Sequence, residues 1–546
     1  MSVGGETQVT KSEPEKWWKS ATLYQIYPLS FADSNGDGWG DLPGITERLD
    51  YVASLGVDGI WLSPFYRSAW TDYGYDTIDH KQVDPRCGTI EDFDALLEKA
   101  HKLRLKVIID QVYTYTSNRH PWFMESRAEP QGPKGDWYVW APPNADGSVP
   151  NNWISIFGGP AWSWDMARRQ YYMTHFLHEM PHLKSELPEV QEELLAIARF
   201  WLDRGVDGFR LNVINLAVVD QTLRDNPTSG EKGVILPAHA QQPLYNESRP
   251  EVLEFVRRLR SLADQHPDRF LLGEIAGRDP MDMAKRYTKG QDALHSAYFV
   301  IGADQEPLTA ARVRMELESW SREGEGWPTW SVSNHDIVRA VTRCGHESAH
   351  KGFAELLLAL IIAARGTALL YQGDELGLPD AQLPYEDIRD PASRRFYPEH
   401  LQRDGARTPM AWDGYRPGIG FTDGNPWLPV PETHRSLAVA QQENENGSTL
   451  ELTRALISLR KRHPALGLGS VRFEELPDPI IAFTRKHGAE TIYCAFNISD
   501  APVEFTWPEL TSGTTIIGHS DTPTSDNKVA LGAFGFTMTR CNYDSV

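Results

Sequence analysis

Short apolar runs alternate along most of the chain with stretches whose apolar positions recur every three or four residues. The first pattern predicts buried strands and the second amphipathic helices. Strands are expected at Thr22–Tyr27, Asp58–Leu62, Leu105–Asp110, Val206–Asn212, Phe270–Ile275, Trp330–Ser333 and Thr367–Tyr371, with a weaker one near Ala297–Ile301. Helical periodicity is clearest at Ile90–Leu103 and around Glu189–Arg204. So many strand–helix units predict an α/β fold, a closed (β/α)8 TIM barrel. Two stretches break the rhythm. Gln111 to Lys184 is rich in Trp, Pro, Gly and Asn, too long for a bare loop, and is expected to be an inserted subdomain after the third strand. Beyond Pro464 the alternating segments Ile480–Thr484 and Thr491–Asn497, with a turn at Lys486–Gly488, predict an antiparallel β-domain. The expected division is a barrel of residues 1–110 and 185–463, a subdomain of 111–184 and a C-terminal β-sandwich of 464–546.

Composition narrows the partners. A net charge of -21 over 546 residues speaks against nucleic acid or an anionic membrane surface. Met1 to Lys19 is polar and unlike a signal peptide, and no apolar run is long enough to span a bilayer. The scattered cysteines Cys87, Cys344, Cys494 and Cys541 form no metal or disulfide pattern. A cytoplasmic protein, monomeric or weakly dimeric, is expected. The 18 Trp and 20 Tyr suit either packing or a cleft that stacks sugar rings. Phe157 and Trp162, and Trp122 and Phe123, are candidates for such a cleft.

In a (β/α)8 barrel, reactive groups sit at strand C-termini. Here those ends read Asp110; Gly208 to Asn212 (GFRLN); Gly273, Glu274 and Ile275; and Asn334, His335 and Asp336. Any one of these is as readily structural as functional. In this order, and with YQIYP at Tyr24–Pro28, GDGWGDLPGI at Gly36–Ile45, GVDGIWLSPF at Gly56–Phe65, YQGDELG at Tyr371–Gly377 and RTPMAW at Arg407–Trp412, the chain resembles the α-amylase superfamily of glycoside hydrolases. The resemblance is strongest to the bacterial α-glucosidase and oligo-1,6-glucosidase branch. It implies a small α-glucoside or disaccharide substrate. Glu274 would be the general acid/base and Asp336 the carboxylate that holds sugar hydroxyls. Arg210 would position the nucleophile, and His335 would help bind the reacting sugar. Asp76 and Arg403 would grip the non-reducing end, which makes the action exo.

Retaining cleavage needs two carboxyl groups about 5–5.5 Å apart, one attacking the anomeric carbon and one protonating the leaving oxygen. The family pattern carries the attacking Asp at the end of strand four, where this chain carries Asn212. An amide keeps the shape of Asp and loses its charge. Three readings follow: deliberate replacement of Asp, which gives an inactive or severely impaired form of an α-glucosidase active in hydrolysis or transglucosylation; a natural enzyme with rerouted chemistry; or a non-catalytic sugar binder. Intact Glu274 and Asp336 favour the first. A sucrose-isomerase-like glucosyltransferase is a variant of the same chemistry. Tyr115 stands where relatives carry a histidine that touches the primary hydroxyl. With Leu29, Lys184 and Leu216 to Val219 it also departs from the pattern, so an unusual substrate preference is expected. Val213 matches the α-1,6-acting relatives.

A second constellation, Asp33, Asn35, Asp37, Trp39 and Asp41 with intervening glycines, places oxygen donors at alternate positions and suits a structural Ca2+ or Mg2+. Trp39 would contribute its carbonyl.

Overall fold

The computed structural model describes residues 16–541 except 233, 235, 278, 304–307, 323, 345–350, 399–402, 511–512 and 519–526. The polar N-terminal stretch, up to residue 15, lies outside the described residues. Eight parallel strands close into a barrel: β1 (Thr22–Ile26), β2 (Gly59–Leu62), β3 (Lys106–Gln111), β4 (Gly208–Leu211), β5 (Phe270–Glu274), β6 (Ser296–Val300), β7 (Pro328–Ser331) and β8 (Thr367–Tyr371). They follow one another in chain order around the barrel, and β8 pairs with β1. The weak sixth run is a full member, paired with both neighbours.

Both faces of the barrel sheet are buried, which explains the near-continuous apolar runs. Leu23, Trp61, Ile108, Leu272 and Leu369 share one cluster. Their chain neighbours Tyr24, Ile60, Leu62, Val107, Ile109 and Leu271 belong to another, which the surrounding helices complete. Gly208 opens β4 because no side chain fits: a Cβ there would lie 2.1 Å from the Phe270 carbonyl oxygen.

Between β3 and the helix Pro188–Arg204 lies the inserted subdomain. It holds the helix Pro121–Ala128 and a three-stranded antiparallel sheet of Trp140–Ala141, Gln170–Met173 and Trp162–Asp165. Aromatics form its core: Phe123 stacks on Trp140, and Trp153 on Trp162. Trp122 packs edge-on against Trp137. Trp122, Phe123 and Trp162 are therefore packing residues, not cleft residues.

The C-terminal part is a five-stranded antiparallel sheet faced by a two-stranded one. Ile480, Ala482, Tyr493 and Ala495 pack with Trp507, Val529 and Leu531 on one side. Ile481, Phe483, Cys494 and Phe496 join the barrel's outer core on the other. No helix among the described residues is long and apolar enough to cross a membrane.

Candidate active site

The ends of β3, β4 and β5 meet around one guanidinium. Phe209 and Leu211 join the outer core, and strand alternation turns Arg210 inward, over the Trp61 ring. Arg210 is fully buried. Its Nη1 donates to both Asp110 oxygens at 2.9 Å and to Asn212 Oδ1 at 2.7 Å. Its Nη2 meets Glu274 Oε2 at 2.7 Å and Tyr298 OH at 3.1 Å. Burial opposes the charge, but Asp110 and Glu274 outweigh it and hold the Arg210 pKa high. Burial pushes the Asp110 carboxyl up to about 7 despite that partner.

Asn212 has both ends of its amide assigned. Oδ1 accepts from Arg210, and Nδ2 donates to Tyr115 OH at 2.9 Å. The next residue, Val213, is left-handed at φ 35, a costly conformation for a β-branched side chain. That turn aims the Val213 N–H at Glu274 Oε2, 2.8 Å away. Tyr298 OH donates to Glu274 Oε1 at 2.9 Å. Both Glu274 oxygens are thus anchored, while 17% of the side chain stays accessible.

A second group adjoins the first through Tyr75, whose OH donates to Asp110 Oδ2 at 3.2 Å. Gln25 Nε2 donates to His335 Nδ1 at 2.9 Å, which leaves the imidazole proton on Nε2, facing Tyr75 OH at 2.5 Å and Asp336 Oδ2 at 3.2 Å. Burial lowers the His335 pKa to about 3, so the ring is neutral. It is sandwiched between Tyr27 and Tyr75. Asp336 faces Arg407 at 2.8 Å and Arg403 at 3.1 Å. Burial raises its pKa, but His335, Arg403, Arg407 and Arg210 together hold it below the usual carboxylate range. Arg403 also binds Asp390 and, at 2.7 Å, Asp72, and lies 5.0 Å above the Phe157 ring. Burial pushes Asp72 up to about 6. From Phe157 an aromatic wall runs through Phe176 to Tyr115 and returns to Asn212.

This site occupies the C-terminal end of an eight-stranded barrel with a subdomain after the third strand. Residues 25–469 match the alpha amylase catalytic domain, and residues 473–538 the maltogenic amylase C-terminal domain. The chain belongs to the alpha-amylase family. It is 46% identical over 506 residues to a probable alpha-glucosidase of Rhizobium meliloti, covering 91% of this chain and 92% of that one. An oligo-1,6-glucosidase of Parageobacillus thermoglucosidasius is 35% identical, with 90% and 92% covered. Among solved structures, an alpha-glucosyl transfer enzyme superimposes with a TM-score of 0.92 at 44% identity, covering 97% of this chain and all of that one. The trehalulose synthase of Pseudomonas mesoacidophila gives a TM-score of 0.88 at 31% identity, with 96% and 99% covered.

In this alpha-amylase-family chain Asn212, Glu274, Arg210, Tyr115, His335, Asp336, Arg403 and Phe157 come together. Asp76 does not join the Arg403 grip. Its carboxylate is spent on Ser68 Oγ and the backbone N–H groups of Thr71 and Asp72. It shapes the turn that delivers Asp72, which with Asp390 and Asp336 is one of three carboxylates on Arg403. Only Leu216 among the other departures packs with Tyr115. Val218 and Val219 sit in core clusters. Lys184 lines a separate small cavity with Asp136, Glu186 and Asp220. Sequence reading also missed Tyr75, Tyr298, Asp390 and Gln25.

The Asp33 to Asp41 loop folds on its own side chains. Asp33 accepts from the N–H groups of Asn35, Gly36 and Gly38, Asn35 from Asp37, and Asp37 from Trp39. Asp41 caps the helix Leu42–Ser54 through Gly44 N and also reaches back to Ser34. Its carboxylate thus faces the same loop, but among the described residues no group of three or more carboxylate, His or Cys side chains converges as a metal site would.

Proposed function

We propose that this protein is an exo-acting, retaining enzyme of the α-glucosidase type whose attacking carboxylate is replaced by the Asn212 amide. It takes up the non-reducing end of a small α-glucoside and holds it with chemistry severely impaired. The observation that carries this reading is the Arg210 hub. It holds the nucleophile position and the acid/base Glu274 on one guanidinium, across from a pocket end closed by Asp72, Arg403 and Asp336. The names of the relatives favour the same substrate class.

Each step follows from the groups present. Ionised Asp336 and the Arg403–Asp72 pair take the sugar hydroxyls. Neutral His335 donates from Nε2. Glu274 supplies a proton to the leaving oxygen and later takes one from the incoming water or sugar hydroxyl. The missing step is attack on the anomeric carbon: the Asn212 nitrogen lone pair is delocalised into its carbonyl, and the side chain carries no charge to stabilise an oxocarbenium-like transition state. Transfer in place of hydrolysis needs only a sugar hydroxyl where water would enter.

Calorimetry with maltose, isomaltose and sucrose tests the binding half. At least one disaccharide should bind and be recovered intact, and Arg403→Met should weaken it by tenfold or more, about 1.4 kcal/mol. Failure of all three to bind would contradict the reading. We also infer that Asp33, Asn35, Asp37, the Trp39 carbonyl and Asp41 hold Ca2+ or Mg2+, which braces the loop and does not touch substrate.

A further inference from the structure

The segment from 217 to 251 carries, among its described residues, only one short 3-10 helix, Pro237–Ala240. Near its end Glu247 is fixed on both sides. Asn246 is held by Asn226 Nδ2 at 2.8 Å on its side-chain oxygen and by His175 Nε2 at 2.7 Å on its carbonyl. Ser248 is left-handed at φ 51. It is pinned by its N–H to the Asn215 carbonyl at 2.8 Å and by its hydroxyl to Asn215 Nδ2 at 2.9 Å. Asn215 in turn exchanges hydrogen bonds with the Ala276 backbone in both directions, at 2.8 and 3.0 Å. One side chain thus ties Glu247 to the loop that begins at Asn212 and to the loop that follows Glu274.

Between these pins the Glu247 carboxylate has no hydrogen bond or ion pair to any described residue. It stands over Gly277, where a Cβ would come within 3.0 Å of Glu247 Oε2. Burial alone pushes its pKa up to about 7. A half-buried carboxylate without a partner costs free energy, and so does the left-handed serine beside it. Such costs collect where a ligand repays them. The side of the pocket is set by Glu274. The acid/base must touch the oxygen that leaves, so residues 275–277 border the leaving group and whatever hydroxyl later replaces it.

We propose that Glu247 is a specificity residue for the leaving-group side, accepting hydrogen bonds from the hydroxyls of a sugar or polyol there. This rests on the α-glucoside reading of the site. A carboxylate without a partner favours leaving groups and acceptors rich in hydroxyl donors over aryl or alkyl ones. Water, once it replaces the leaving group, makes no use of it.

Binding can be read directly on the unmodified protein, because Asn212 leaves the ligand intact. Calorimetry on it and on Glu247→Gln and Glu247→Ala would compare three probes: glucose, p-nitrophenyl α-glucoside, and whichever of maltose, isomaltose and sucrose binds tightest. The disaccharide Kd should rise about tenfold or more in Glu247→Ala and less in Glu247→Gln, which keeps one acceptor oxygen. Glucose and the aryl glucoside should bind as before. An unchanged disaccharide Kd would overturn the proposal. So would an equal loss on all three probes, which would make Glu247 a support of the fold. If the unmodified protein binds none of the three, the α-glucoside reading itself fails and takes this one with it.

Discussion

At the scale of single residues, replacing Asp by Asn at 212 exchanges one oxygen for a nitrogen and keeps the side chain's shape. Arg210 still donates to Oδ1, and Tyr115, able to donate or accept, takes the NH2 end. The side chain's contacts therefore accommodate the amide, and on the proposed reading only the chemistry would be lost. Glu274 should remain competent. With Asn212→Asp as background, adding Glu274→Gln should cut turnover of disaccharides by at least about a hundredfold. Activated aryl glucosides, whose leaving groups need little protonation, should lose far less. Equal losses on the two substrates would argue against an acid role. Glu375 offers a separate pH test. It is buried under the Tyr24 and Tyr51 hydroxyls, and burial raises its pKa from 4.5 to about 7. The folded chain keeps this proton where the unfolded chain has lost it. The stability it contributes is full below 4.5 and is lost as pH rises through about 7. The amount is on the order of 3 kcal/mol. Glu375→Gln should flatten the decline in denaturation midpoint between pH 5 and 8; an unchanged slope would refute the assignment.

Strand patterns were legible in the sequence because barrel strands buried on both faces read as continuous apolar runs. The sixth was faint because Ser296 and Ala297 open it with little side chain, yet pairing on both sides completes it. Turns were less legible. DYGYD offers two aspartates four residues apart, and only the turn's hydrogen bonds decide that Asp76 faces the backbone and Asp72 faces Arg403. The left-handed Val213 and the pinned Glu247 leave no periodic trace, since backbone conformation and contacts between remote segments create them. Tertiary contact also ends the helix Lys351–Ala363. Its last carbonyls are taken by two buried arginines, Arg460 on Ile362 and Ala364, and Arg485 on Ala363. Among the described residues neither guanidinium makes an ion pair, although the Asp58 charge acts on Arg460. Arg485→Met should lower stability by about 2 kcal/mol, through carbonyls left without donors. A shift in denaturant midpoint with no change in sugar affinity is the expected result.

Across the whole molecule, the site is assembled from widely separated parts of the chain, between Gln25 and Arg407. The Asp33 to Asp41 loop braces this assembly from outside. Asp33 accepts from Thr422 Oγ1 at 2.5 Å, and Trp39 stacks on Trp427, which also meets Tyr73 beside Asp72. If the loop holds a cation, chelation should lower the melting temperature by several degrees, and added Ca2+ or Mg2+ should restore it. An unaltered melting curve would count against the site.

The measurement that bears most directly on the account is turnover by Asn212→Asp on a panel of α-linked disaccharides, with the product's anomeric configuration followed by NMR. The account predicts at least about a thousandfold gain over the unmodified chain, with glucose released first as the α-anomer. No gain on any substrate, or release of the β-anomer, would contradict it.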